Sequence, residues 1–376
     1  MSEISEILSA WHQCVADGVG AALATVVRVD GSAYRRPGAR MLILGDGRTV
    51  GVISGGCLER DVVYRSGAVR ATGIPTIVRY DAVSEQDAGP AAALGCGGTI
   101  EILIESLTPE NAQPLESLEW LWSRRQRGFS ATVIAQQSTD ARIGDRITLD
   151  ESGLQQPADV HPHGHRWAIP PAPEPGILHL PTPAGWIEFF IERIEPPLQL
   201  FIFGGSADSA PLAAQARNLG WHVTLIDMRT SVSASPATDE ADITFRCAAN
   251  ELAKIEIHQH SAVIIKNHHW QHDLAALQRV VNLNLKYLGI LGPKSRTERL
   301  FQYLGVNPPN SAALHYPIGL DLGAETPREV ALSVVAEILS VVRNTRAVSL
   351  RDKNGPIHTP MHGPDRAENP CPAAAS

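Results

Sequence analysis

Cysteine is scarce in this chain: Cys14, Cys57, Cys96, Cys247 and Cys371 are spread over 376 residues. That is too few and too scattered for a disulfide framework. No apolar run approaches the roughly 20 residues that cross a bilayer, so the sequence carries no candidate membrane span. Positive charge is also in deficit. Lys and Arg number 32 against 40 Asp and Glu, a net charge of −8, and the cations are not gathered on one stretch. Phosphate backbones are bound by concentrated positive charge, which argues against nucleic acid as a partner. Neither C-x-x-C nor H-E-x-x-H occurs, so the zinc motifs with the clearest spacing are missing. The start, "MSEISEILSAWHQC", carries acids in an amphipathic helical pattern and is not that of a signal peptide. The expectation is a soluble, cytoplasmic protein.

What is present is the composition of a folded protein, with 44% hydrophobic and 19% charged residues. The length suits two domains. The alternation of elements predicts an α/β chain: a mixed α+β domain over 1–195, a Rossmann-like doubly wound domain over 196–350, and a disordered tail over 351–376. In the first domain a helix over 1–18 leads to a strand, "AALATVVRV", and then to a hairpin turning at Gly45-Asp46-Gly47. Leu58, Val62 and Val69 share one face of a following helix. "TIVRY", "TIEILIESL", "ATVIAQ", "RITL" and "WIEFFIERI" read as strands completing a mixed sheet, with a helix ending at Gly128 among them. Residues 156–183, rich in proline and histidine, read as an irregular loop. Pro196 and Pro197 mark the boundary.

The second domain opens as strand, glycine turn, helix, strand, acid, which is the βαβ pattern of dinucleotide binding. Gly204 and Gly205 make the turn, and Asp227 ends the second strand where a ribose-binding acid would stand. Yet the turn reads Gly204-Gly205-Ser206-Ala207-Asp208-Ser209, with serines at the second and third fingerprint positions. Asp208 adds negative charge where a pyrophosphate would rest on the helix N-terminus. The pattern therefore favours the fold over productive NAD(P) binding, and the two glycines also suit a plain tight turn. Thr326, Pro327 and Glu329 write a capping box for a last helix.

Four stretches are more specific: "GSAYRRPGARMLI", "GVISGGCLERDVV", "LGCGGTIEILIE" and "PIGLDLGAETPREVALSVVAEIL". Together, from about residue 15 to about 345, the chain resembles the XdhC/CoxI family, accessory proteins of molybdenum hydroxylases such as xanthine dehydrogenase. The resemblance implies an XdhC/CoxI domain followed by a Rossmann-like domain. It implies a chaperone that binds molybdenum cofactor, supports its sulfuration and delivers it to an apo molybdenum hydroxylase of the xanthine dehydrogenase type, with a cysteine desulfurase as a further partner. The second domain departs from the family pattern. Ala207 stands where the family has histidine, Asn267-His268 replaces a Thr-His pair, and Gly292-Pro293-Lys294-Ser295-Arg296 replaces a Gly-Ser-basic segment. A symmetric homodimer, the commonest oligomer, fits the chain without being demanded by it.

Ser54, Gly55, Gly56 and Cys57 place a thiol after a glycine turn at a helix start, where the helix dipole favours a thiolate. A thiolate suits a soft, sulfur-rich metal centre or persulfide transfer; the alternative is a small buried hydrophobe. Cys96, bracketed by Gly95, Gly97 and Gly98, is either an anion-accepting nest beside a thiol or a packed turn. Arg35 and Arg36, with Arg40, are forks for phosphate or pterin, or else a solvated charge run. The histidines of "HPHGH" (161–165) and "NHHWQHD" (267–273) lack a metal-ligand spacing, leaving His268 and Asp273 as candidate ligand contacts. No residue is assigned to a catalytic role or to metal ligation. The alternative function is an NAD(P)-dependent oxidoreductase built on the second domain.

Overall fold

A computed structural model describes residues 3–31, 33–81, 98–156, 167–229, 236–308 and 313–352. Its contacts divide the chain between Pro196 and Pro197 into two units.

In the first unit, α1 (Glu3–Ala16) buries Ile7, Leu8 and Trp11 and carries Glu3 and Glu6 in its first turn, where acids suit the helix dipole. The chain then runs through β1 (Ala21–Asp30), β2 (Arg40–Ile43), β3 (Thr49–Gly51), α2 (Glu59–Thr72), β4 (Thr76–Asp81) and β5 (Thr99–Leu107). These strands form one antiparallel sheet in the order β3-β2-β1-β5-β4. After α3 (Gln113–Ser123), β6 (Gly128–Gln136), β7 (Arg146–Asp150), β8 (Gly176–Thr182) and β9 (Gly185–Ile194) form another, ordered β7-β6-β9-β8.

The period-2 alternation of β1 explains the layering. Ala22, Ala24 and Val26 face α2, where Leu58, Val62 and Val69 are buried against them. The opposite face is shared: Leu23 packs with Ile7 and Trp11 of α1 and Leu115 and Leu118 of α3, while Val27 and Leu103 meet Ile134 and Phe190 of the second sheet.

Three expectations do not hold. The strands make two antiparallel sheets and not one mixed sheet. Residues 176–182 of the expected irregular loop are β8, paired along β9 from Gly176↔Ile191 to Thr182↔Gly185. The helix before Gly128 ends at Ser123. Arg125 takes a left-handed φ of 52°, and the amides of Arg125 and Gln126 turn back to the carbonyls of Trp122 and Leu121, each at 3.0 Å. That is a helix-closing motif written without glycine, and it frees Gly128 to open β6. The "HPHGH" segment and residues 353–376 of the expected tail lie outside the described residues; Leu350–Asp352 form a short 3₁₀ turn.

The second unit contains β10 (Gln199–Phe203), α4 (Ala210–Asn218), β11 (His222–Asp227), α5 (Pro236–Asp239), β12 (Ile243–Arg246), β13 (Ala262–Ile265), α6 (Trp270–Val280), β14 (Tyr287–Ile290), α7 (Lys294–Leu304), β15 (Leu314–His315) and α8 (Pro327–Val342). All six strands are parallel, ordered β12-β11-β10-β13-β14-β15. Both faces are covered, as parallel sheets require: α6 and α7 on one, α4 and α8 on the other. The strand order reverses between β10 and β13, the switch point where open α/β sheets bind ligands.

Thr326 caps α8 as its sequence implied. Its hydroxyl accepts from the Glu329 amide at 3.4 Å, and the Glu329 carboxylate accepts from the amides of Thr326 (2.8 Å) and Glu325 (3.1 Å). Because the hydroxyl contact is long, Thr326→Ala is expected to cost only about 0.5–1 kcal/mol, read as a small fall in the urea midpoint. A loss above about 2 kcal/mol would mean that the cap holds more than the helix end.

Candidate functional site

The register of the first sheet puts two loops at one of its ends. Thr25 opposes Arg40, Met41 opposes Gly51, and Thr99 lies between Asp30 and Asp81. The β1–β2 loop and the segment from β3 to α2 (52–58) therefore leave from the same end, where β4 ends at Asp81 and β5 begins at Thr99. Cys96 and Gly97 lie outside the described residues; Gly98 is buried beside Thr99, whose hydroxyl donates to Asp81 at 2.7 Å.

Cys57 is exposed, and so are Gly55 and Gly56. Tyr34, 63% exposed, leans on this turn: a Cβ on Gly55 would stand 3.9 Å from its ring. The two loops are also tied through α1. Glu3 accepts from the Val52 amide at 2.8 Å and from the Arg35 guanidinium. An open cavity of about 620 Å³ lies between α1 and the β1–β2 loop, lined by Glu3, Ile4, Tyr34, Arg35, Arg36 and Arg40 among others.

These neighbours sort the sequence candidates by what each side chain already holds. Ser54 is buried, its hydroxyl donating to Glu59 and accepting from the Leu58 amide at 3.2 Å, while its own amide donates to Glu59 at 2.8 Å. Burial opposes ionisation of the Glu59 carboxyl, but these hydrogen bonds prevail and hold it below its ordinary value. An internal carboxylate thus sits at the N-terminus of α2, next to Cys57. Arg40 is a structural residue and not an exposed fork. It is 7% exposed, and both its terminal nitrogens bind the Glu192 carboxylate. Arg35 is held by Glu3. The exposed guanidinium of Arg36 makes no hydrogen bond or ion pair with the described residues.

In the second unit Gly204, Asp227 and Lys266 stand at the carboxyl ends of β10, β11 and β13, beside the switch point. Ser209 closes the turn, donating to the Gly204 carbonyl at 2.6 Å and accepting from Lys266 Nζ at 2.8 Å. Lys266, 4% exposed, also pairs with Asp208 at 2.9 Å, and His268 Nε2 lies 3.1 Å from the same carboxylate oxygen. Asp208 therefore does not present a bare charge. Burial works against its ionisation, yet the bonds from Ser206 and Lys266 with the lysine's charge hold it well below the usual carboxylate range. Burial pulls Lys266 down, against Asp208. With a lysine within bonding distance of a carboxylate at the rim, the two stand as an ion pair.

Asp227 is equally committed. Arg229 donates to it from its backbone (3.0 Å), Nε (2.8 Å) and Nη2 (2.9 Å), and also to the Gly205 carbonyl. Asp273, 1% exposed, is held by the Asn267 amide at 3.0 Å and by Arg296 at 2.6 Å. Among the described residues no three His, Cys, Asp or Glu side chains are grouped to hold a metal ion. No helix of the described residues is long and apolar enough to cross a membrane.

Four participants escaped the sequence reading. Lys266 did leave a signal, a lysine closing the apolar strand "AVIIK" at a sheet's carboxyl edge. Arg229 stands two residues past the acid it covers. Tyr34 and Glu3 left none, because what matters is their proximity to residues 52–55, far along the chain.

Residues 14–81 match the XdhC and CoxI family, and residues 200–338 match the XdhC Rossmann domain. A Bacillus subtilis protein named as a probable xanthine dehydrogenase subunit shares 35% identity over 335 residues, covering 87% of this chain and 95% of that protein. The molybdenum cofactor insertion chaperone PaoD of Escherichia coli is 26% identical over 333 residues, 88% of this chain and 86% of its own length. A crystal structure described as a xanthine dehydrogenase from Bacillus halodurans superimposes with a TM-score of 0.74 at 30% identity, covering 93% of this chain and 98% of that one.

Proposed function

The chain belongs to the XdhC and CoxI family, and from that premise we propose that it is an accessory protein that holds molybdenum cofactor as cargo for insertion into a molybdenum hydroxylase. One observation carries the reading: an exposed thiol, an exposed glycine turn and a guanidinium without a partner among the described residues come from loops that leave one end of one sheet. The chemistry of these groups suits the cargo. Its terminal phosphate is an oxyanion for Arg36. Its metal and sulfur are soft partners for the Cys57 thiol. Gly56, where an added Cβ would meet nothing within 4 Å, leaves backbone that a bulky ligand approaches closely. The name of PaoD supports the cargo. A role in sulfuration, with persulfide carried on Cys57 and supplied by a cysteine desulfurase, extends the same reading.

The second unit lends less to a nicotinamide-dependent oxidoreductase. A ribose diol needs a free carboxylate at the end of β11, and Asp227 already serves Arg229. A pyrophosphate recruits free donors at the turn, and there Lys266 and the Ser209 hydroxyl already serve Asp208 and the Gly204 carbonyl.

The test is retention. The full chain, incubated with molybdenum cofactor released from a molybdenum hydroxylase and passed through gel filtration, is expected to keep pterin, read as fluorescence after oxidation. Cys57→Ala is expected to lose about tenfold or more of this retention, as removal of a metal-binding thiolate would, with its circular dichroism unchanged. Tight NADH or NADPH binding without pterin retention would overturn the proposal. Undiminished retention by Cys57→Ala would return Cys57 to an inert surface thiol.

A further inference from the structure

Glu3 joins two loops by accepting two hydrogen bonds. One carboxylate oxygen takes the amide of Val52 at 2.8 Å, and the other takes the guanidinium of Arg35. A guanidinium fork and a main-chain amide converging on one acidic group is the donor set that an oxyanion ligand recruits. Here the acid belongs to the protein itself. It is the first residue of α1, where a helix frays at little cost because its first amides lack intrahelical partners in any case. Its side chain is about a third exposed (33%), and that of Arg35 28%, so withdrawal of the carboxylate returns it to water without stranding a buried charge. Glu3, Arg35 and Arg36, the last without a partner among the described residues, line the same open cavity of about 620 Å³, as does exposed Tyr34.

We propose that Arg35 and the Val52 amide form a phosphomonoester subsite that Glu3 occupies as an internal stand-in until a ligand displaces it. A phosphomonoester carries close to two negative charges and three acceptor oxygens at neutral pH. It therefore engages Arg35, the Val52 amide and Arg36 together, where the single carboxylate of Glu3 satisfies two donors. Displacement frees α1's first turn from both loops, so an empty site is pinned and a filled one is held by its ligand. The physiological occupant, the phosphate end of the cargo, rests on the function proposed above; the subsite is defined by its donors alone.

Competition and pinning predict opposite signs. The full chain is titrated with inorganic phosphate and with phenyl phosphate by calorimetry at constant ionic strength, using chloride as the control anion. Glu3→Gln, which keeps the length and loses the charge, is expected to tighten binding of both probes by at least about fivefold, the lower end of ordinary site coupling. Glu3→Asp, with the charge kept and the reach shortened, is expected to fall between Glu3→Gln and the parent. Arg35→Gln is expected to weaken binding in both the parent and the Glu3→Gln background. Binding unchanged or weakened in Glu3→Gln, or absent from every variant, overturns the proposal, because a mere pin loosens the loops when cut. Neither probe contains pterin or molybdenum. A phosphate response without cofactor retention would sink the cargo assignment alone, and retention without a phosphate response would sink the subsite alone.

Discussion

Glu192→Ala is expected to destabilise the first unit by about 3–5 kcal/mol, the cost of leaving one member of a buried ion pair uncompensated. Arg40, at the start of β2, reaches the end of β9 on the other sheet. Its Nη1 donates to Glu192 at 2.8 Å and to the Gly38 carbonyl at 2.9 Å, and its Nη2 donates to the other carboxylate oxygen. Burial opposes the charge of Arg40, but Glu192 outweighs it and raises the guanidinium above its ordinary value. Gly38 leaves the space this requires, since a Cβ there would stand 2.7 Å from Glu192 Oε1. Without the carboxylate the charge remains where water does not reach it. The loss is measured as a shift of the urea midpoint at unchanged slope. The double variant Arg40→Met with Glu192→Leu, which removes both charges and keeps the volume, is expected to recover most of the stability. A cost under about 1 kcal/mol for Glu192→Ala, the range of exposed ion pairs, would mean that Arg40 finds solvent.

The second large effect is Gly204→Ala, expected to cost the second unit about 3 kcal/mol or more. Gly204 sits at φ 141°, and a Cβ would lie 2.6 Å from the backbone carbonyl oxygen of Lys266. The strain of a glycine-only conformation, about 1–3 kcal/mol, adds to a clash that side-chain rotation cannot relieve. Strands β10 and β13 must part or the turn must rearrange, and either breaks the Lys266–Ser209–Asp208 contacts. Hydrogen exchange of the full-length variant is expected to rise in the peptides covering β10 and β13 and to stay unchanged across β1–β5. Native protection in β10 and β13 would show that the close approach of the two strands is dispensable.

What the sequence disclosed and what it hid follow a single physical division. Short-range patterns were legible: the buried stripe of α2, the hairpin at Gly45-Asp46-Gly47, the capping box at Thr326 and the βαβ run from β10 to Asp227. Each is a matter of local periodicity or turn chemistry. Arg40 was misjudged because Glu192, its partner, is 152 residues away, and an arginine beside a Pro-Gly turn looks the same whether it faces water or a buried acid. The separation of the strands into two sheets is likewise long-range, decided by β6 choosing β7 and β9 as neighbours. Strand β8 was hidden by the prolines and histidines around it. Strand β12 was hidden by its length of four residues and its exposed Ile243 and Phe245. At the site, the glycines and Cys57 announced themselves, but the sequence could not say which neighbours were already committed. Arg35, Ser54 and Asp227 prove to be held by Glu3, Glu59 and Arg229. Arg36 and Cys57 have no such partner among the described residues.

The proposed place of the cargo is the end of the first sheet. Hydrogen exchange of the full chain with and without molybdenum cofactor tests it most directly. Protection confined to peptides covering 33–39 and 52–58 is the expected result. Protection of residues 204–209 and 266–268, with none across 33–58, would contradict it and place the cargo at the switch point of the second unit.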